Sequence, residues 1–448
     1  MKPSTLRGTR DFGPAVVAKR NYLFDTIRKV FIKYGYQPIE TPAMEKLETL
    51  TGKYGEEGDK LLFKILNNGD FLSKADPTAL ANKDESQVLP SISKRGLRYD
   101  LTVPFARFVV MHQNDLSFPF KRYQIQPVWR ADRPQANRYQ EFFQCDVDVV
   151  GSESLMYEAE LVQIYDEVFA QLKLPVTIKV NNRKILAGIA EAAKIPEQFM
   201  DMTIAIDKLD KIGWDGVQKE MLNKGFSLES TETIKEILAV KGLDELAQLF
   251  AGAPTGQEGI EELRTFHQYF DLYSASNEVE FDITLARGLN YYTGCIFEVK
   301  AKGVEMGSIG GGGRYADLTS VFGLKNVSGV GVSFGADRIY NALEALDLFP
   351  EHFQDDLQIL LVAFDQEAHQ FAFQQLIALR AAGVNADLYP EPAKMKKQMK
   401  YANDRKVPFV AIIGSEEMQS GQLSFKNMES GDQSKQNLAG IIQTLQSS

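Results

Sequence analysis

The feature that most constrains this chain is a period of two. It runs through "VWRADRPQANRYQEFFQCDVDVVG", Val128 to Gly151, and the residues just before it. In a strand, side chains two positions apart share a face. On the outgoing run Phe143, Cys145, Val147 and Val149 make an apolar face, and Phe142, Gln144, Asp146 and Asp148 fall on the other. On the incoming run Tyr123, Ile125 and Trp129 oppose Gln124, Gln126 and Arg130. The loop "ADRPQAN", flanked by Arg130 and Arg138, joins the two runs as an antiparallel pair. In-register pairing puts Arg130 on the same side as Phe142. A solvated sheet face is the ordinary explanation of such alternation. Phe142 and the lack of a Lys/Glu/Thr mixture weigh against it. Arginines, an amide, carboxylates and an aromatic on one face suit a site for a phosphate, an amino acid and a base.

A chain of 448 residues predicts two or three domains around this pair. Phe24, Ile27, Val30, Phe31 and Tyr34 form one helical stripe that stops at Gly35. "YQPIETPAM" reads as extended, because Pro38 and Pro42 push their predecessors out of the α region. Residues about 153–170 read as helix and "PVTIKVNN" as strand. From Arg183 to about Tyr273 helical patterns dominate, as in an insertion, and strands return at Glu278. A boundary falls near residues 347–356. Beyond it strands alternate with helices, the mark of a small α/β domain.

The formal charge of −10 argues against a surface coated for non-specific nucleic-acid binding. It leaves room for a local patch. In residues 394–406, Lys394, Lys396, Lys397, Lys400, Arg405 and Lys406 stand against Asp404. Alone, that reads as a solvated helix face. Two cysteines, Cys145 and Cys295, make no disulfide framework and suit a reducing cytosol. Four scattered histidines without a C-x-x-C pair disfavour structural zinc, and no protein metal ligand is expected. The start has no apolar signal region and no run reaches membrane-span length, so a cytoplasmic protein is expected.

Three glycine-bearing segments remain. "SIGGGGRYADL", 308–318, lets backbone approach a ligand closely. "GVGVSFGADR", 329–338, lacks the G-x-G-x-x-G spacing and the βαβ unit of a dinucleotide fold, which disfavours an oxidoreductase. A strand running into a helix that presents Arg338 fits better. "LARGLNYYTG", 285–294, sets Arg287 and the pair Tyr291–Tyr292 around a turn, as at the edge of a site.

Together these segments resemble the class II aminoacyl-tRNA synthetases. "FKRYQIQPVWRADRPQANRYQEFFQCDVDVVG" is similar to their motif 2, about 120–151, and "GVGVSFGADRI" to motif 3, about 329–345. The first helix with "YQPIETP" is similar to motif 1, about 15–45. "LARGLNYYTG", "SIGGGGRYADL" and "LRYDLTVPFAR" resemble signatures of the histidyl-tRNA synthetase family.

The resemblance implies an antiparallel-sheet catalytic core over 1–350, with a mainly helical insertion at about 183–275. It also implies a C-terminal anticodon-binding α/β domain over 356–448, and a homodimer. The implied reaction joins histidine to ATP as histidyl-adenylate, with magnesium, and then passes the histidyl group to the histidine tRNA. It assigns histidine to Asp100, Leu101, Thr102, Arg130, Gln144, Asp148, Arg287, Tyr291, Tyr292 and Tyr315. ATP falls to Arg130, Asp132, Arg138, Phe142 and Arg338, and catalysis to Arg130 and Arg287. Arg133 and Gln135 would meet the tRNA acceptor end. The sequence departs from the family pattern at Asp337, where Glu is commoner, and at Ala136–Asn137 in the loop. A regulatory relative of the family, which generally lacks the last domain and degrades the signature arginines and glycines, fits less well.

Overall fold

The computed structural model describes residues 2–51, 61–135, 138–286, 292–316, 319–351 and 357–447. The chain divides into two compact units, Met1–Phe349 and Pro350–Ser448. No described helix is long and apolar enough to cross a membrane.

In the first unit the strands are β1 (Gln37–Pro38), β2 (Met44–Lys46), β3 (Lys64–Ile65), β4 (Arg95–Leu97), β5 (Phe120–Trp129) and β6 (Glu141–Val150). They continue with β7 (Val176–Asn182), β8 (Glu278–Phe281), β9 (Tyr292–Ala301), β10 (Gly310–Tyr315) and β11 (Gly329–Gly335). Eight of them form one sheet in the order β1-β5-β6-β11-β10-β9-β7-β8, and β2, β4 and β3 form a small second sheet. The expected antiparallel core is present, but β1 on β5 and β7 on β8 pair in parallel. Long excursions of the chain, not tight turns, separate the two strands of each of these pairs, so nothing forces them to run antiparallel.

One face of the sheet is greasy. Cys145, Val147 and Val149 of β6, with Val330, Val332 and Phe334 of β11, join the helices Pro14–Lys33 and Met156–Gln171 in one large core. The first helix has Pro14 in its first turn and ends at Tyr34, before Gly35 at φ 80°. The segment from Arg183 to Phe270 is helical throughout most of its length. Its apolar residues, among them Ile185, Leu186, Ile260 and Leu263, belong to that same core.

The glycine run, expected to let backbone approach a ligand, forms strand β10, in the middle of the sheet and flanked by β9 and β11. Its glycines make room. A Cβ on Gly312 would lie 2.2 Å from the Gly331 carbonyl oxygen on the next strand. Close approach of neighbouring backbone, not loop flexibility, explains the run.

The second unit has strands β12 (Ile359–Ala363), β13 (Ala386–Leu388), β14 (Phe409–Ile413), β15 (Leu423–Asn427) and β16 (Gln433–Gln436), in the order β13-β12-β14-β15-β16. The first three strands of that order are parallel and the last two pairings antiparallel. The helix Met395–Asp404 is anchored by Gln398, which is 1% exposed. Its amide nitrogen donates to the Ala363 carbonyl at 2.7 Å and its oxygen accepts from the Ala363 N–H at 3.1 Å.

Candidate active site

The opposite face of the sheet carries the polar residues, and strand register sets them in rows. Arg122 of β5 stands opposite Asp148 of β6, which stands opposite Gly331 of β11, which stands opposite Gly313 of β10. The next row is Gln124, Asp146, Ser333 and Gly311. The third is Gln126, Gln144 and Gly335. Period-two counting therefore placed Gln144, Asp146 and Asp148 together correctly.

At the inner end Asp148 is buried between two partners. Its Oδ2 lies 2.8 Å from Nη2 of Arg122, and its Oδ1 accepts from the Tyr315 hydroxyl at 2.9 Å. Arg122 is fully buried, with its guanidinium carbon 4.1 Å from the centre of the Phe105 ring. The Arg122–Asp148 contact is an ion pair by distance, but no guanidinium N–H points along it, and Nε and Nη1 have no hydrogen-bond partner among the described residues. Burial raises the Asp148 carboxyl above its ordinary range, while Arg122 and the Tyr315 hydroxyl pull it down. Burial pushes its neighbour Asp146 up to about 7, opposed by Arg122 and reinforced by Asp148.

Gly331 belongs to this end. A Cβ there would lie 1.9 Å from Oδ1 of Asp148, so only glycine leaves the carboxylate its place. Gln144 donates to the Ser333 hydroxyl at 2.9 Å, and its amide oxygen has no partner among the described residues. Tyr292 stands opposite Tyr315 at the start of β9. Asp100, Leu101 and Thr102 open the helix Thr102–His112, where Oδ1 of Asp100 accepts from the Val103 N–H at 3.3 Å.

The outer end is more open. Arg130 donates through Nε to the Tyr99 carbonyl at 2.9 Å, which ties it to the Asp100 segment. Its guanidinium carbon lies 5.2 Å from the centre of the Phe142 ring, as the in-register pairing required. Asp132 and Arg138 face each other across the hairpin loop, with Nη2 2.8 Å from Oδ2. Arg133 and Gln135 are exposed in that loop, and the backbones of Gln135 and Arg138 bridge. Arg338, near the start of the helix Ala336–Ala345, donates to the Ser308 carbonyl at 2.7 Å. Arg287, Tyr291 and the loop pair Ala136–Asn137 lie outside the described residues.

Residues 81–339 match the model of the family described as "Histidyl-tRNA synthetase", and residues 358–448 that of "Anticodon binding domain". The chain belongs to the histidyl-tRNA synthetase family. It is 54% identical to a histidine–tRNA ligase of Christiangramia forsetii, covering 98% of both chains. It is likewise 54% identical to one of Bacteroides fragilis, covering 96% of both. Among solved structures, the histidyl-tRNA synthetase from Nostoc is similar over 100% of this chain and 99% of its own, with a TM-score of 0.85 and 30% identity. The class II catalytic core and the C-terminal α/β anticodon-binding domain are thus those of the family.

Sequence reasoning missed Arg122, the buried cation behind Asp148. The signal was there: continuing the even-numbered face back two positions from Gln124 reaches it. It also missed Ser333, whose strand was read for its glycines.

Proposed function

We propose that this histidine–tRNA ligase divides its work between the two ends of that polar face. At the inner end Asp148 accepts a hydrogen bond from an imidazole N–H, and Tyr292, with Tyr291, completes the side-chain pocket. Asp100, Thr102 and Gln144 receive the α-ammonium, a donor that needs oxygen acceptors. A ligand lacking the imidazole nitrogens would leave Asp148 buried and short of a partner, which is how such a pocket discriminates. Arg122 holds Asp148 in its accepting form. The observation that carries this reading is the Arg122–Asp148–Tyr315 arrangement, a buried carboxylate fixed from both sides beside a glycine that clears its space.

At the outer end Phe142 stacks on adenine, and Asp132, Arg138 and Arg338 bind the rest of the ATP. The histidine carboxylate attacks the α-phosphorus. A P–O bond forms, the bond to the β-phosphate oxygen breaks, and pyrophosphate leaves. Arg130 and Arg287 neutralise the charge that builds on the α-phosphate oxygens, so catalysis is positional and electrostatic. A tRNA 3′-hydroxyl then attacks the activated carbonyl, and AMP departs. Arg133 and Gln135 meet the acceptor end.

The described residues hold no cluster of three or more His, Cys, Asp or Glu side chains placed for a metal ion. The outer-end carboxylate, Asp132, is already paired with Arg138. Among the described residues these side chains make no cage for magnesium by themselves. The ion enters this scheme only as the companion of the ATP phosphates, and no step is routed through it. In the second unit, the exposed Lys394, Lys396, Lys397 and Lys400 on an anchored helix suit contact with tRNA phosphates. The protein acts as a homodimer in the cytoplasm.

Histidine-dependent exchange of labelled pyrophosphate into ATP, run against all twenty amino acids, tests the reading. Exchange with histidine alone is expected. No exchange with histidine, or better exchange with another amino acid, would sink it.

A further inference from the structure

Behind the outer end, on the apolar side of β6, four segments of chain meet at one carboxylate. Asp337 is buried, and its Oδ1 accepts from Nη1 of Arg20 on the first helix at 2.7 Å. The same oxygen pairs with Arg10 of the N-terminal segment. Its Oδ2 accepts from the Phe143 N–H at 2.9 Å. Strand β11 stops at Gly335, opposite Gln144, so the next position of β6, Phe143, keeps Pro127 of β5 on one side but has no residue of β11 on the other. The Asp337 side chain satisfies the N–H left there, a donor that burial would otherwise penalise.

Arg10 extends the junction. Its guanidinium carbon lies 3.3 Å from the centre of the Tyr139 ring. Just before it in the chain, the Gly8 carbonyl accepts from the Gln140 N–H at 2.9 Å, while the Gln140 carbonyl accepts from the Arg130 N–H at 2.9 Å. Gly8 has φ +88°, and a Cβ there would lie 2.7 Å from Cγ of Gln140. The N-terminal segment is therefore laid along the base of the hairpin loop, and only glycine fits at that point.

Chain neighbours give this junction its meaning. Tyr139 follows Arg138, Phe143 follows Phe142, and Asp337 precedes Arg338. These three residues of the junction are each bonded to a residue assigned to ATP. On β6, Phe143 packs against the apolar core and Phe142 falls on the other face.

We infer that Arg10, Arg20 and Asp337 form a positioning clamp through which the N-terminal segment and first helix fix the ATP-binding residues Arg138, Phe142 and Arg338. The inference rests on the placement of ATP proposed above. A packing role alone would weaken the whole unit and both substrates together. A clamp aimed at the nucleotide end would move ATP alone, because the histidine end is fixed separately by Arg122 and Tyr315.

Arg10 is the variant of choice, since its side chain is 26% exposed whereas Asp337 is 5%. In the full-length protein, Arg10→Gln is expected to raise the KM for ATP in pyrophosphate exchange by roughly tenfold, within the ~10²-fold that a 1 Å misplacement can cost. The KM for histidine should stay within about twofold. Arg10→Lys keeps the charge on Asp337 and should recover part of the loss. Tyr139→Leu removes the stacking partner, together with the hydroxyl that accepts from Asn341, while keeping Arg10 on Asp337, and tests the clamp should Arg10→Gln fail to fold. Phe142→Ala serves as the control for where ATP lies.

An unchanged KM for ATP in Arg10→Gln, with a raised one in Phe142→Ala, overturns the clamp and leaves the ATP placement standing. Equal rises in both KM values with a lower Tm also overturn it. No effect of Phe142→Ala overturns the ATP placement and the clamp with it.

Discussion

Asp148 and Arg138 sit on the same hairpin and are held in opposite ways. Asp148 is buried, flanked by a fully buried guanidinium and a buried tyrosine hydroxyl, with a glycine facing it. Arg138 is 48% exposed in its side chain and meets a single carboxylate across a loop. The inner end carries its charges out of water, where a missing partner is expensive. The outer end keeps its charges near water, where pairs contribute little to stability. An amino-acid pocket must reject close analogues and benefits from rigid, dry groups. A nucleotide end must admit and release a large polyanion and works with solvated arginines.

The sharpest test of this contrast is Arg122→Met. Removing one partner of a buried pair typically destabilises by about 3–5 kcal/mol. Denaturant unfolding should show a loss of that size, with the KM for histidine rising more than that for ATP. A variant as stable as the parent would mean that Asp148 does not depend on Arg122.

Arg130→Ala should do the reverse. Arg130 is half-buried, and among the described residues its side chain donates one direct hydrogen bond, to the Tyr99 carbonyl. The exchange rate should fall by about 10²-fold or more, typical of lost charge stabilisation. Stability should change by less than about 1 kcal/mol. A large loss of stability with a small loss of rate would erase the distinction between the two ends.

Asp146 gives the contrast a pH signature. Its carboxyl titrates near about 7 in the folded chain, because burial outweighs the pull of Arg122. In an unfolded chain it titrates at about 3.9. Between those values the folded state holds a proton that the unfolded state has released. Stability therefore falls as pH rises through that window, by at most about 1.4 kcal/mol per pH unit from this group. Asp146→Asn should flatten the slope of unfolding free energy between about pH 4 and 7. An unchanged slope would show that Asp146 is not the buried acid responsible.

The sequence made the polar face legible because strand alternation is rigid: once Gln144 and Asp148 lie on one side, register alone delivers their neighbours. That Arg130 and Phe142 share a side followed from the same rule. What sequence could not show was which long-range partner each charge takes. Arg122 meets Asp148 through strand pairing, but Arg10 and Arg20 reach Asp337 across more than three hundred residues. No local period encodes such a contact. The glycine run was read as close approach to a ligand, and the approach that it makes is to the backbone of the neighbouring strands. Glycine signals either a turn or a close approach, and only the neighbouring strands decide between them. Both edge segments read as extended in the sequence, but their parallel pairing with β5 and β7 is a choice of long-range partner, which no local pattern encodes.

Arg138→Ala carries the smallest expected change in stability and so bounds the outer end. The Asp132–Arg138 pair is bidentate on one oxygen, with Nε at 3.1 Å and Nη2 at 2.8 Å. Its exposure limits it to about 0–1 kcal/mol, and salt screens it further. Thermal unfolding should hardly move in Arg138→Ala, and the KM for ATP should rise while that for histidine stays put. The double variant with Asp132→Ala decides what the pair is for. If Asp132 only parks Arg138 until phosphate arrives, the two losses should not add, because removing the arginine leaves the carboxylate nothing to orient. If Asp132 contacts ATP in its own right, the losses should add. Either result leaves the inner end untouched. A change in histidine KM from these exposed substitutions would show that the two ends are coupled, against the division drawn from their burial.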